Sequence, residues 1–172
     1  MNSTKKLVTS SLLLAVALVL PFLTGQIPEI GNMLLPMHLP VLLAGYVVGG
    51  PYAMIIGFTA PLLRSMLWGM PVLFPRAVAM ACELAAYGLV SGLVYSASRK
   101  NTKSIFVSLA VAMVAGRVVW GAVSAVLYGI AGKSFSLALF FTEAFVNAVI
   151  GIAIQFVVIP LIVSALKKAK YI

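Results

Sequence analysis

Three charged side chains lie inside one strongly apolar stretch. Residues 61–83 read P-L-L-R-S-M-L-W-G-M-P-V-L-F-P-R-A-V-A-M-A-C-E, carrying Arg64, Arg76 and Glu83. Trp68 sits one turn beyond Arg64, and a Gly69-Met70-Pro71 turn joins two apolar runs. Ionisable groups at membrane depth are expensive and mark functional sites by default. Arg117, Glu143 and Asn147 are placed in the same way further along, the last two one helical turn apart on a common face.

Two readings of these residues stand side by side. In one they form structural ion pairs, such as Glu83 or Glu143 with Arg117. In the other they bind a ligand. Three arginines face two glutamates, and the positive surplus grows if burial keeps a carboxyl protonated. An unpaired buried guanidinium is costly, and a ligand carboxylate or phosphate in a bidentate fork would satisfy it. Trp68, Trp120 and Tyr87 offer apolar walls with hydrogen-bonding tips, or else serve as interface anchors or core. His38 has no cysteine or second histidine near it and reads as a loop cap rather than a metal ligand. The ligand reading is an outward-facing, water-accessible pocket for a small anionic molecule.

Other chemistries find no support. One His and one Cys, far apart, make no nucleophile–base pair. Cys82 on a helix reads as a small packed residue. Gly132-Lys133-Ser134 resembles the end of a phosphate-binding loop, but Leu127 stands where the first glycine is required and no strand precedes it. The chain is read as a non-enzyme without cofactor or metal. It would need an ion gradient or partner subunits to concentrate anything.

The elements that must position these groups follow from composition. The 172 residues are 63% hydrophobic and 9% charged, with a mean hydropathy of +1.15. Soluble domains carry about 25% charged residues, so this is an all-α integral membrane protein, read as one membrane domain over 1–172. Apolar runs place helices at 7–23, 39–49, 52–68, 75–97, 105–130 and 137–166, the last kinking at Pro160. Residues 24–38 form a long lid-like loop. Helix 39–49 reaches only about 16 Å and cannot span alone. The Lys5–Lys6 start followed by an apolar run is read as a first membrane helix rather than a signal peptide.

Six helices put both ends on one side. Lys5, Lys6, Arg99, Lys100, Lys103, Lys167, Lys168 and Lys170 share that side, eight of the twelve basic residues. The positive-inside rule makes it cytoplasmic, and this topology, rather than nucleic-acid binding, explains the net charge of +9. Arg64, Arg76, Glu83 and Glu143 then fall in the outer half of the bundle, Arg117 near its middle, and Lys133 in an external turn. Small-xxx-small spacings at Ser11/Ala15, Ala81/Ala85, Gly88/Gly92, Ala112/Gly116 and Gly121/Ala125 suit close helix contact.

Four segments carry a resemblance: L-P-M-H-L-P-V-L-L-A-G-Y-V-V-G-G-P-Y (35–52), P-L-L-R-S-M-L-W-G-M-P (61–71), C-E-L-A-A-Y-G-L-V-S-G-L-V-Y (82–95) and G-R-V-V-W-G (116–121). Over almost its full length the chain resembles the substrate-binding S-components of energy-coupling factor (ECF) vitamin transporters, most of all the pantothenate-type members. The resemblance implies a six-helix protein of a prokaryotic plasma membrane with both termini cytoplasmic. It implies a vitamin site near the outer face, built from the first, third and fifth loops (24–38, 69–74, 131–136) and the adjoining helix ends. It also implies docking in the lipid bilayer to a T subunit and two ATPases. The family's Ala-xxx-Ala docking pair on helix one corresponds here to Ser11-xxx-Ala15. The arginine surplus independently suits a carboxylate. Cobalamin, pyridoxine or hydroxymethylpyrimidine-type substrates share the scaffold and remain alternatives. So do a stand-alone proton-coupled transporter using Glu83 or Glu143, and a membrane enzyme or assembly factor that binds no tight ligand.

Overall fold

The computed structural model describes residues 2–24 and 27–171, and the described residues contain helices and connections but no strand. The chain runs through α1 (Ser3–Val19), a 3-10 segment Leu20–Thr24, α2 (Pro28–Leu34), α3 (His38–Val47), α4 (Gly50–Trp68), α5 (Val78–Ala97), α6 (Thr102–Ile130), α7 (Leu137–Phe141) and α8 (Val149–Lys168). Wide π turns precede α5 at Leu73–Ala77 and follow α7 at Thr142–Val146.

Local chemistry sets several of these boundaries. Proline occupies the first turn of α2 and of α4, where its missing N–H costs nothing. Gly69 closes α4 in the left-handed conformation, φ 71°. The Asn101 side chain accepts from Ser104 N at 2.8 Å to start α6, and the Ser136 hydroxyl accepts from Leu139 N at 3.1 Å to start α7.

Among the described residues four helical stretches are long and apolar enough to cross a membrane: Ser3–Leu23, Leu73–Ala97, Thr102–Ile130 and Val149–Lys168. Large side chains on their outer faces, among them Leu12, Val114, Val118, Val157 and Leu161, are exposed. In water such a surface would aggregate; against lipid it is the expected exterior. Inside, α5 is the central element, packed along α3, α4 and α6. Its buried face carries Ala81, Glu83, Leu84, Tyr87, Gly88, Ser91 and Gly92. The two ends of the chain meet: Thr9 Oγ1 and the Tyr171 hydroxyl lie 3.2 Å apart.

Two expectations about the elements are corrected. Residues 24–38 are not a plain loop, because Pro28–Leu34 forms a helix ended by Leu35 at φ 51°. That helix rests on α8 at Gly151, where an added Cβ would stand 2.7 Å from the Met33 carbonyl oxygen. Residues 137–166 are not one helix, because the π turn and the following residues separate α7 from α8. Pro160, where a kink was expected, lies inside α8.

Candidate functional site

A cavity of about 160 Å³ opens between the 3-10 segment after α1, the α2–α3 connection, the end of α4 and the 70–80 segment. Three of the chemically active residues line it: His38, Arg64 and Arg76. The remaining wall is largely apolar, with Ile27, Leu35, Met37, Val72 and Met80. Met70 and Pro71 of the Gly-Met-Pro turn form part of the rim.

Arg64 is held on three sides. It is 3% exposed. Its Nη1 donates to the Leu18 carbonyl at 2.6 Å. The guanidinium lies 4.9 Å from the Phe22 ring centre and 5.5 Å from that of Trp68, and the two rings meet edge to face at 5.3 Å. Such stacking favours arginine over lysine, since the flat delocalised cation sheds its water more easily. Among the described residues no carboxylate pairs with it.

Arg76 behaves differently. It is 41% exposed and reaches Glu143 Oε2 at 3.5 Å. The other carboxylate oxygen accepts from Asn147 Nδ2 at 3.3 Å, as their one-turn spacing requires. A contact that long and that wet contributes little to stability, so Arg76 is tethered loosely at the cavity edge.

Behind the cavity lies a buried polar cluster. Arg117 Nη1 donates to Glu83 Oε1 at 2.9 Å, with side-chain exposures of 7% and 2%. His38 Nε2 stands 3.8 Å from the same oxygen, beyond hydrogen-bonding reach. The His38 ring meets Tyr87 edge to face at 5.3 Å. Among the described residues neither His38 nitrogen has a hydrogen-bond partner, nor do Arg117 Nε and Nη2. His38 therefore touches both the cavity and the ion pair. It opens α3 without capping it, which corrects its reading as a loop cap.

The expected residues thus divide. Glu83 and Arg117 form the structural pair that one reading required, and Tyr87 is 1% exposed and packs with them. The Arg117 guanidinium reaches Glu83 from α6. Trp68 faces Arg64 rather than the cavity. Trp120 stands apart, stacked on Phe140 at 6.0 Å and edge-on to Phe135 at 5.9 Å. Phe135 carries the 131–136 turn back onto Tyr128, so this turn lines the aromatic cluster and not the cavity. The first and third loops contribute to the cavity; the fifth does not. The hydrophobic wall from the α2–α3 connection was missed, although Ile, Leu and Met within a Gly- and Pro-rich loop were its visible signal. Ser11 and Ala15 lie on the exposed side of α1.

No group of three metal-ligating side chains occurs among the described residues. No curated protein and no solved structure matches the chain. A family model described as "ECF transporter, substrate-specific component" matches residues 5–163. Proteins of this kind bind small substrates and work with T and ATPase modules; they are transporter components and not enzymes. A match over nearly the whole of an apolar helical chain settles the kinship: this protein belongs to the ECF transporter substrate-specific component family.

Proposed function

We propose that the chain captures a water-soluble vitamin at the outer face of a prokaryotic plasma membrane and hands it inward with a T subunit and two ATPases. The best match is pantothenate. The observation that carries this reading is the cavity itself, in which two guanidiniums and an imidazole meet a largely apolar wall. Pantothenate has a carboxylate at one end and a branched, dimethyl, dihydroxy acyl amide at the other. A carboxylate suits the fork of Arg64 or Arg76, and the methyl groups suit Met37, Val72 and Met80.

In this scheme six crossings carry the chain, with α7 and α8 sharing the last and both termini in the cytoplasm. Arg64 and Arg76 take the anion, with Phe22 and Trp68 fixing the first, and Glu143 and Asn147 the second. His38 offers a nitrogen from the floor, oriented by Tyr87 and the Glu83–Arg117 pair. The exposed Ser11–Ala15 face of α1 is the docking side for the T subunit, where small residues permit close helix approach.

Mass spectrometry of the small molecule released from the purified, denatured chain tests the proposal, with pantothenate expected. Another vitamin would replace the substrate and leave the site. Absence of any bound molecule, with no saturable binding of added vitamins, would sink the reading.

A second reading draws on the buried Glu83–Arg117–His38 group, which has the makings of a proton carrier in a stand-alone transporter. Proteoliposomes holding this chain alone separate the two. Accumulation driven by a proton gradient, without ATPases, would establish the second and exclude the first.

A further inference from the structure

The end of the molecule opposite the substrate cavity holds a second and larger cavity, of about 400 Å³. Its floor is the crossing of α3 with α5 and the start of α4. There Gly45 and Gly92 bring backbones together, and an added Cβ on Gly45 would stand 2.9 Å from Gly92 N. The rings of Tyr46 and Tyr95, edge to face at 5.0 Å, form one wall. Its rim carries three lysines from three separate parts of the chain: Lys6 of α1, Lys100 between α5 and α6, and Lys167 at the end of α8.

The charge here is unbalanced. The whole sequence has three acidic residues. Glu83 and Glu143 are engaged around the other cavity, with Arg117 and Arg76. Among the described residues no carboxylate pairs with a rim lysine. The lysines are held instead by weaker contacts. Lys6 lies over the Tyr52 ring at 5.9 Å, and Lys167 donates to the Lys100 carbonyl. Lys100 adopts a left-handed backbone, φ 53°, a conformation that costs a non-glycine residue energy and collects at ligand clamps. Three ammonium groups around a walled cavity form an anion receptor, and basic pockets between helices on one membrane face take phosphorylated head groups.

We infer that this cavity binds a phosphate-bearing anion, supplied either by the head group of an acidic membrane lipid or by a soluble phosphate compound. The position at a helix-bundle end favours the lipid, because the rim lysines are then level with the phosphates of one leaflet. The lysines supply charge, and the Tyr46–Tyr95 wall supports the glycerol part. The site is separate from the vitamin cavity and does not depend on which vitamin that cavity holds.

The test uses the full chain in nanodiscs of phosphatidylcholine, with phosphatidylglycerol as the probe and native mass spectrometry as the readout. The expected result is preferential retention of phosphatidylglycerol. Lys6→Gln/Lys100→Gln/Lys167→Gln should weaken it about a hundredfold, and Lys167→Gln alone about fivefold, from the worth of a lysine at an anionic surface. The single variant keeps the test decisive if the triple variant fails to fold. Lys168→Gln/Lys170→Gln, on neighbours that do not line the cavity, should keep the retention. Added glycerol 3-phosphate separates the sources. If it displaces the lipid at equal concentration the natural ligand is soluble, and if it does not the ligand is the lipid; both outcomes uphold a phosphate site. Equal retention of phosphatidylcholine and phosphatidylglycerol would overturn it. So would equal losses in the rim and neighbour variants, since the lysines would then be mere topological charge.

Discussion

Arg117 and Glu83 sit 2.9 Å apart in the dry interior, one on α6 and one on α5. This contact fixes the two helices at a common depth and stands directly behind His38. Breaking one half of a buried pair leaves an uncompensated charge and costs about 3–5 kcal/mol, whereas replacing both halves with apolar groups is often neutral. Arg117→Met and Glu83→Gln should each lower the melting temperature of the detergent-solubilised chain sharply. The double variant Glu83→Leu/Arg117→Met should recover most of the loss. Additive losses in the double variant would show that the two side chains are not coupled.

Arg64 should be the more demanding of the two cavity arginines. It is buried and stacked, and among the described residues no carboxylate pairs with it. Arg64→Ala should weaken pantothenate binding, measured by titration calorimetry, by about 2–5 kcal/mol. Arg64→Lys should restore little of it, because lysine keeps the charge and loses both the fork and the stacking. Arg76→Gln should cost less, as its partner Glu143 is partly wet. Equal losses at both positions would place the anion midway between them.

His38 offers two unsatisfied nitrogens at the cavity floor. His38→Phe should keep the edge-to-face contact with Tyr87 and therefore the fold. It should lower vitamin affinity about tenfold if one nitrogen meets the ligand, the usual cost of a lost buried hydrogen bond. An unchanged affinity with an unchanged melting curve would assign His38 to packing alone.

Gly151 is where α8 lets α2 approach backbone to backbone. Gly151→Ala would drive its Cβ to 2.7 Å from Met33 O and 2.9 Å from Leu34 C. Neither atom belongs to a side chain that can swing away, so α2 must shift. A destabilisation of about 1–3 kcal/mol is expected. Vitamin affinity should fall with it, because the connection after α2 lines the cavity. The melting curve and a binding titration on the same sample check both parts.

Much of this was legible in the residues. Arg64, Arg76 and His38 were singled out by charge and position, and all three line one cavity. Proline and glycine marked the start and the end of α4. What escaped has physical reasons. The break between α7 and α8 falls in T-E-A-F-V-N-A-V, which holds no proline or glycine, so nothing local announces the π turn. Pro160 lies inside α8, which continues on both sides of it. Trp120 was grouped with the site by residue type, whereas its ring is taken up by Phe135 and Phe140.

The glycine-lined crossings of α5 bear on how such a protein can change. At Gly57, Gly88 and Gly92 even one added methyl would meet the backbone of the facing helix. Mutation is thereby closed at the centre of the molecule, where a single carbon atom would pry helices apart. Beside the cavity the packing is looser at Gly31, where an added Cβ meets nothing within 4 Å. Changes in the cavity lining are cheapest to acquire there, so a lineage could alter what the cavity accepts while inheriting the same scaffold intact.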